Sequence, residues 1–435
     1  MTGLLKAALL LVSVSFCLYG LILYRGFGIF RELEAILVDL RWLLLVSVVV
    51  WLGIFLVPTF KPRDFPLICG IVIAIFIFFI GYSSSWPTMD VIILLAGITL
   101  GKGARLLTLR AGGIQMNPQN PTVVSFLVGL VALLSFSSWW RTDILNNYYC
   151  GPRWMGLWDD PNEYGMLMSA GVVLAAGLLA LSWKLKVGDP ETVKVSWRRL
   201  LEAILLFAMG MLSVGLLFSY SRGAWVGTAV GLLYLARAHT RFRWRFVMPG
   251  FLAVAAVAWF FWQATSNTDP WYVKRLDLSR PSSQHRIAAW KAAVRMMWDY
   301  PLGVGWNEAI ETYEKHYSPP EGGAAALTTN DYMMLGTQLG LPGLSCFLVY
   351  IALSLRAPSS CLQAGTKARH PGESLAPIGT TIACRAGALA LAVAFWFDDG
   401  LFKLATASVF WILLELGAAE LPPRGAKGAK TEVTT

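Results

Sequence analysis

Residues 328–355 read TTNDYMMLGTQLGLPGLSCFLVYIALSL, and the kind of protein follows from how this stretch is built. A polar corner, Thr328 to Asp331, opens directly into an uncharged, mostly apolar run that lasts to Leu355. A helix over such a run is long enough to cross about 30 Å of hydrocarbon. The corner itself closes the one long polar segment of the chain, Ser266–Asn330, which carries its own Trp, Tyr and charges.

Outward from there, apolar runs recur from end to end, each close to the roughly 17–25 residues a span requires. They predict helices over 5–24, 42–58, 67–82, 89–101, 122–139, 163–183, 200–219, 223–237, 248–264, 331–355, 385–399 and 403–419. Composition agrees: 56% of the 435 residues are hydrophobic and only 14% charged, against about a quarter charged in soluble domains. Only helices or closed barrels satisfy their backbone inside lipid, and these runs lack the alternation of barrel strands. The expected fold class is an all-α polytopic membrane protein of about twelve transmembrane helices with one large extracytoplasmic loop containing amphipathic helices. Residues 1–264 supply helices one to nine, 265–330 the loop, 331–419 helices ten to twelve, and 420–435 a disordered cytoplasmic tail.

The formal charge of +10 does not call for nucleic acid. One alternating set of loops holds most of the Lys and Arg, including Lys61, Arg63, Lys102, Arg105, Lys184, Arg198, Arg237, Arg356 and Arg385. That bias places those loops, and both termini, on the cytoplasmic side. Met1–Leu23, with Lys6 and no small-residue cleavage site, reads as the first span. The six cysteines are scattered without a CxxC pair, so neither a metal nor a disulfide framework is expected.

The unusual polar residues then fall on one, outer, face. In Leu217–Gly231, Arg222 sits between two apolar runs, either as an anion binder at the membrane mouth or as a snorkelling edge marker. Tyr220 stands at the same corner, and Gly223, Gly227 and Gly231 repeat every four residues, a face for close helix packing. Pro281–Tyr300 reads as an amphipathic helix with Ile287, Trp290, Val294 and Met297 on its membrane face. Arg286 lies at the edge of that face, Lys291 and Arg295 point to water, and His285 is a bystander. The loop is basic up to Arg295, which suits a diphosphate, and acidic after it, which suits hydroxyl-rich acceptors, a general base or plain solvated surface. Arg153 and the turn Trp154–Gly165, with Asp159, Asp160 and Asn162, offer polar groups at the membrane edge; its aromatics read as interfacial belt or sugar-stacking surface.

Taken in order, Gly151–Gly165, Ser221–Trp225, Arg286-xxx-Trp290 with Asp299–Asn307, and Asn330–Gly343 resemble the O-antigen ligase and polymerase superfamily of bacterial membrane glycosyltransferases. The resemblance implies a GT-C-like fold in the inner membrane with a periplasmic active face. It implies transfer of a glycan from undecaprenyl diphosphate to a glycan or lipid A-core hydroxyl, without metal or cofactor. Arg222 and Arg286 would engage the donor diphosphate, as the matched arginines do in the family. Arg153, Asn162, Tyr220, Trp290, Thr329 and Asn330 would contact substrate. Thr329 departs from the family, whose ligases carry a histidine there, and threonine cannot take a proton at neutral pH. His316, Glu321, Asp331, Asp398 and Asp399 are the substitutes. Asp398, ending a span beside the outer face, is the best placed, its alternative being a helix-end carboxylate among headgroups. The departure points away from a lipid A-core ligase, towards a polymerase, a ligase for another acceptor or a variant whose activity is reduced. A membrane transporter or non-catalytic assembly partner is the competing reading; a transporter would require broken helices at the midplane and internal repeats, and no repeat is evident.

Overall fold

The computed structural model describes residues 61–80, 89–111, 121–138, 153–158, 160–185, 195–238, 281–306, 308–318, 329–356 and 376–418. The spans expected over 5–24, 42–58 and 248–264, and the tail, lie outside them. All regular structure among the described residues is helical. In chain order the helices are α1 (Phe65–Ile80), α2 (Met89–Ala111), α3 (Pro121–Ser137), α4 (Pro161–Leu185), α5 (Val195–Ser219) and α6 (Arg222–Ala238). There follow α7 (Pro281–Asp299), α8 (Glu308–Thr312), α9 (Asp331–Leu355), α10 (Ala376–Ala394) and α11 (Leu404–Gly417).

Three of these are long and apolar enough to cross a membrane: Pro161–Trp183, Arg199–Ser219 and Asp331–Leu355. Their environments differ in a way that follows from their sequences. α4 is built from Gly, Ala, Leu and Val and is enclosed by α5, α6 and α10. α5 turns Leu200, Ile204, Leu206 and Phe207 outward, as a lipid-facing helix must when no other apolar phase is available.

Small residues bring the backbones together. Gly223, Gly227 and Gly231 of α6 lie along α10, and a Cβ at Gly227 would stand 2.3 Å from the carbonyl oxygen of Ala390. No larger side chain fits that seam, the contact expected of a small-residue face. It fixes the N-terminus of α6, and therefore Arg222, against the C-terminal end of α10.

α9 contains a break. Gly340 has φ +72° and ψ 179°, just ahead of Pro342. The freed backbone groups are taken up by the turn after α7. Val304 N–H donates to Thr337 O at 3.0 Å, Gly305 N–H to Gln338 O at 3.2 Å, and Leu341 N–H to Pro301 O at 2.9 Å. A helix can be interrupted inside a bundle when protein groups satisfy it in this way. The same contacts clamp the end of α7 to the bundle.

Three expectations need correction. The eleventh span does not run over 385–399: α10 ends at Ala394, nine residues earlier at its start than the hydropathy suggested, because Ala376–Cys384 is rich in small residues that score as weakly apolar yet pack well. Asp398 accordingly lies in the Phe395–Lys403 connection to α11. Second, Lys102, Arg105 and Arg385 are not loop charges but are buried within α2 and α10. Lys102 Nζ meets Asp64 Oδ1 at 2.8 Å and Glu415 Oε1 at 2.6 Å, Arg105 meets Glu415 at 3.2 Å, and Arg385 Nε caps Gly417 O at 2.7 Å. Third, the expected membrane face of α7 divides: Ile287 and Val294 stay outward, Trp290 is half-buried, and Met297 turns into the bundle. Ala289, Ala292, Ala293, Met296 and Met297 are buried, whereas Ile287, Val294 and Trp298 are exposed in company with Lys291 and Arg295. Small alanines let α7 approach α9, and that gain overrides the larger apolar residues on the other side.

Candidate functional site

The connection Phe395–Lys403, FWFDDGLFK, is the hub on which the other polar segments converge. Its backbone is held from α9: Asp331 N–H donates to Phe395 O at 3.1 Å, and Leu401 N–H donates to Asp331 Oδ2 at 2.7 Å. Asn330 caps α9, its Oδ1 accepting from Tyr332 N at 3.0 Å and Met333 N at 3.1 Å. Asn330 Nδ2 and Asp331 Oδ1 are buried with no hydrogen-bond partner among the described residues. Thr329 precedes the cap, half-buried.

From α7, Arg286 Nη1 donates to Phe397 O at 2.8 Å. From α6, Gly223 packs on the same residue, so closely that a Cβ there would lie 2.6 Å from Phe397 Cβ. Arg222, next to Gly223, is thus brought to the hub together with Arg286. The corner carrying Arg222 is bent: Tyr220 has φ +52°, a left-handed conformation that costs a non-glycine residue about 1–3 kcal/mol. Ser221 Oγ, facing Ala224 N at 3.4 Å, and the Trp225 indole, donating to Leu216 O at 3.0 Å, lock the turn from both sides.

The third approach is the turn before α4. Arg153 Nε donates to Ser219 O at 2.7 Å and its Nη2 to Asn162 Oδ1. Asp160 Oδ1 accepts from Asn162 N at 2.9 Å and so caps α4, while Asp160 Oδ2 pairs with Lys403. Lys403 Nζ also meets Asp399 Oδ1 at 3.1 Å.

The carboxylates of Asp160, Asp398 and Asp399 all lie within 4.8 Å of one another. The Lys403 ammonium pairs with two of them, Asp160 and Asp399. Burial alone would lower the pKa of Lys403, but Asp399 and Asp160 outweigh it and hold the ammonium charged well above the ordinary lysine range. Asp398 is 7% exposed. Burial raises its pKa well above the usual carboxylate range, Asp160 and Asp399 add to the rise, and Arg286 pulls the other way. A carboxyl in such a place is a proton acceptor once ionised.

Trp290 packs edge-on to Trp396 at 6.1 Å between centroids, and Trp396 lies 5.5 Å from Tyr332. This aromatic cluster joins α7, the hub and α9 and places Trp290 beside the site. Of the other substitutes for the missing histidine, His316 is exposed on a turn of π-helix, and Glu321 lies outside the described residues. Lys403 and Asp160 carry the charge pairing of the site. Lys403 had no signal in the sequence, because it sits between apolar residues with nothing to mark its partner 243 positions earlier.

Beside the Arg153 turn an open groove of about 520 Å³ runs along the outward flank of α5, lined by Ser138, Trp154, Leu206, Phe207, Gly210, Met211 and Val214. Its lining is almost wholly apolar.

Residues 204–348 match the family model described as O-antigen ligase. That region holds Arg222, Arg286, Thr329 and Asn330; the hub and the Arg153 turn lie on either side of it. A comparison with curated proteins returns no match.

Proposed function

We propose, from the match of residues 204–348 to the O-antigen ligase family model, that the chain transfers a glycan from undecaprenyl diphosphate to an acceptor hydroxyl at the periplasmic face of the inner membrane. The observation that carries the reading is the meeting of Arg286 and the α6 N-terminus on Phe397, beside a buried carboxyl. Two guanidinium groups match the oxygens of a diphosphate with fixed forks of donors. They stabilise the charge that develops on it as it leaves. About twelve spans in a GT-C-like arrangement would place this site at the outer leaflet. The apolar groove along α5 suits isoprenoid units, as its lining offers almost nothing to a polar ligand.

The reaction is a single displacement. The acceptor oxygen attacks the anomeric carbon as the bond from that carbon to the phosphate oxygen breaks. The diphosphate leaves with the bonding electrons, and the hydroxyl proton passes to the Asp398 carboxylate. Attack from the face opposite the leaving group inverts the anomeric centre. No step requires a metal ion or a cofactor. Thr329 serves to contact substrate, and Asp398 takes the part that histidine plays in family ligases. This substitution favours a polymerase, or a ligase whose acceptor differs from lipid A-core.

The test is reconstitution in vesicles with a defined undecaprenyl-diphosphate-linked oligosaccharide and mass analysis of the products. Polymer or ligated product is expected from the native protein. Arg222→Ala and Arg286→Ala should each lower transfer by about 100-fold or more, with the protein still inserted. Full transfer by both variants would overturn the reading.

A further inference from the structure

Three carboxylates meet in the hub, and one ammonium is shared among them unequally. Lys403 contacts Asp160 Oδ2 and Asp399 Oδ1. Asp160 is further held in place, because its other oxygen accepts the Asn162 N–H at 2.9 Å. Asp398 receives a hydrogen bond from the Asp399 backbone N–H at 3.2 Å and has no contact with the ammonium. It is also the most deeply buried of the three. A proton entering this cluster therefore has one place where it relieves repulsion without displacing a salt bridge.

We propose that Lys403 is a positioning residue, which by pairing with both Asp160 and Asp399 assigns the proton taken from the acceptor to Asp398. The inference rests on the transferase reading for its meaning, but not for its test. Its selectivity comes from geometry: three carboxylates within 4.8 Å bind their first proton jointly, unless a cation singles two of them out. The other charged groups facing Asp398 are Arg286 from α7 and Asp331 from α9, with Arg222 at the head of α6 beside Phe397. Glu163 stands behind Lys403 on the first turn of α4. None of these bridges Asp160 to Asp399.

The same contacts explain the reach of Lys403 into the Arg153 turn. Lys403–Asp160, Asp160–Asn162, Asn162–Arg153 and Arg153–Ser219 form one unbroken chain of polar contacts from the hub to the end of α5. A merely structural tie would use the Lys403–Asp160 bridge and nothing more. A positioning residue uses the sign of its charge, and the two roles separate in experiment.

The measurement is a pH titration, by difference infrared spectroscopy, of the protonated-carboxyl carbonyl band in the full-length protein in lipid, with the band assigned to Asp398 by its loss in Asp398→Asn. Lys403→Gln removes a positive charge, so the first proton should bind at higher pH, by about one to two units. Asp160→Asn removes a negative charge, so the Asp398 midpoint should move down by a comparable amount. Lys403→Arg should restore the native midpoint to within about half a unit. Both glutamine and asparagine variants break the same salt bridge, so a structural tie alone would move the midpoint the same way in both, or in neither. Either of those results overturns the proposal, as does a band that survives Asp398→Asn. Loss of transfer in the native protein with opposite shifts intact would instead sink the transferase reading and leave this assignment standing.

Discussion

Arg286 and Phe397 are 111 positions apart, yet Arg286 Nη1 donates a 2.8 Å hydrogen bond to the Phe397 carbonyl. The bond uses one of the five donors of the guanidinium and leaves the remainder of the fork for a ligand. It also fixes the side chain in direction, since the acceptor belongs to a backbone that α9 holds at Phe395 and Leu401. A preorganised cation of this kind meets charge that develops in the transition state without having to reorganise.

Lysine in place of Arg286 keeps the charge but loses the fork. It cannot hold the Phe397 carbonyl and two phosphate oxygens in one plane. Arg286→Lys is expected to lower transfer about 10- to 100-fold, mainly in kcat, with insertion and thermal stability near native. Initial rates with a lipid-linked oligosaccharide would measure this; a rate within twofold of native would deny Arg286 a role in the chemistry.

A larger residue at Gly223 should uncouple the two arginines. A Cβ there lies 2.6 Å from Phe397 Cβ and 3.1 Å from its ring, so α6 or the hub must shift. Gly223→Val is expected to abolish transfer while costing about 1–3 kcal/mol of stability. Gly129→Val, on the exposed side of α3, is the control, because no atom lies within 4 Å of a Cβ at that position. Detergent thermal melts alongside activity would separate the two effects.

How much of this was legible in sequence depends on the residue. α4, α5 and α9 could be read from apolar length alone, and the seam of Gly223, Gly227 and Gly231 from its spacing. Arg222 and Arg286 stood out because a guanidinium amid apolar residues needs a reason. What could not be read was pairing. Lys403 meets Asp160, and Glu415 meets Lys102, across more than 200 positions, and no local pattern records such a partner. The faces of α7 misled for a different reason. Periodicity ranks side chains by hydrophobicity, whereas close packing on α9 selected the small alanines at 289, 292 and 293.

That outward face of α7 yields a prediction of its own. Trp298 is 73% exposed, with Ile287 and Val294 beside it and Lys291 and Arg295 at the flank. Apolar residues edged by cations suit an interface with anionic headgroups. A nitroxide attached at Trp298→Cys should collide with oxygen more often than with a water-soluble nickel complex in liposomes, and the preference should reverse at Glu314→Cys, on the exposed turn after α8. Equal collision rates at both positions would place α7 in bulk water.

The pH dependence of transfer follows from Asp398. Its carboxyl takes the acceptor proton only when ionised, and burial together with Asp160 and Asp399 raises its pKa. Activity should therefore rise with pH along a limb lying well above the value of about 4 for an ordinary aspartate, and should be lost as the pH falls through it. Asp398→Asn should remove both the limb and most of the rate, about 100-fold or more. A rate with no such limb above that value would exclude Asp398 as the base.

At the opposite end of α11, Glu415 is fully buried and accepts from four groups. Its Oε1 takes Lys102 at 2.6 Å and the Tyr350 hydroxyl, and its Oε2 takes Arg63 at 3.1 Å and Arg105 at 3.2 Å. Arg63 also reaches the carbonyl of Ala418, and Arg385 that of Gly417, so cations close the carbonyl end of the helix, where its dipole is negative. Glu415→Gln removes the carboxylate that Lys102, Arg63 and Arg105 share. Breaking a buried network in this way costs about 3–5 kcal/mol, far more than an exposed pair such as Glu311–Lys315. The melting temperature in detergent should fall sharply for Glu415→Gln and scarcely for Glu311→Gln. Adding Lys102→Met to Glu415→Gln should recover part of the loss, because one uncompensated charge is then gone and the two effects couple. Lys403 and Glu415 are twelve positions apart, about 18 Å along the axis of α11, so transfer by the surviving folded fraction should keep its native rate and pH limb. A changed pH limb in Glu415→Gln would instead tie the two ends of α11 into one electrostatic unit.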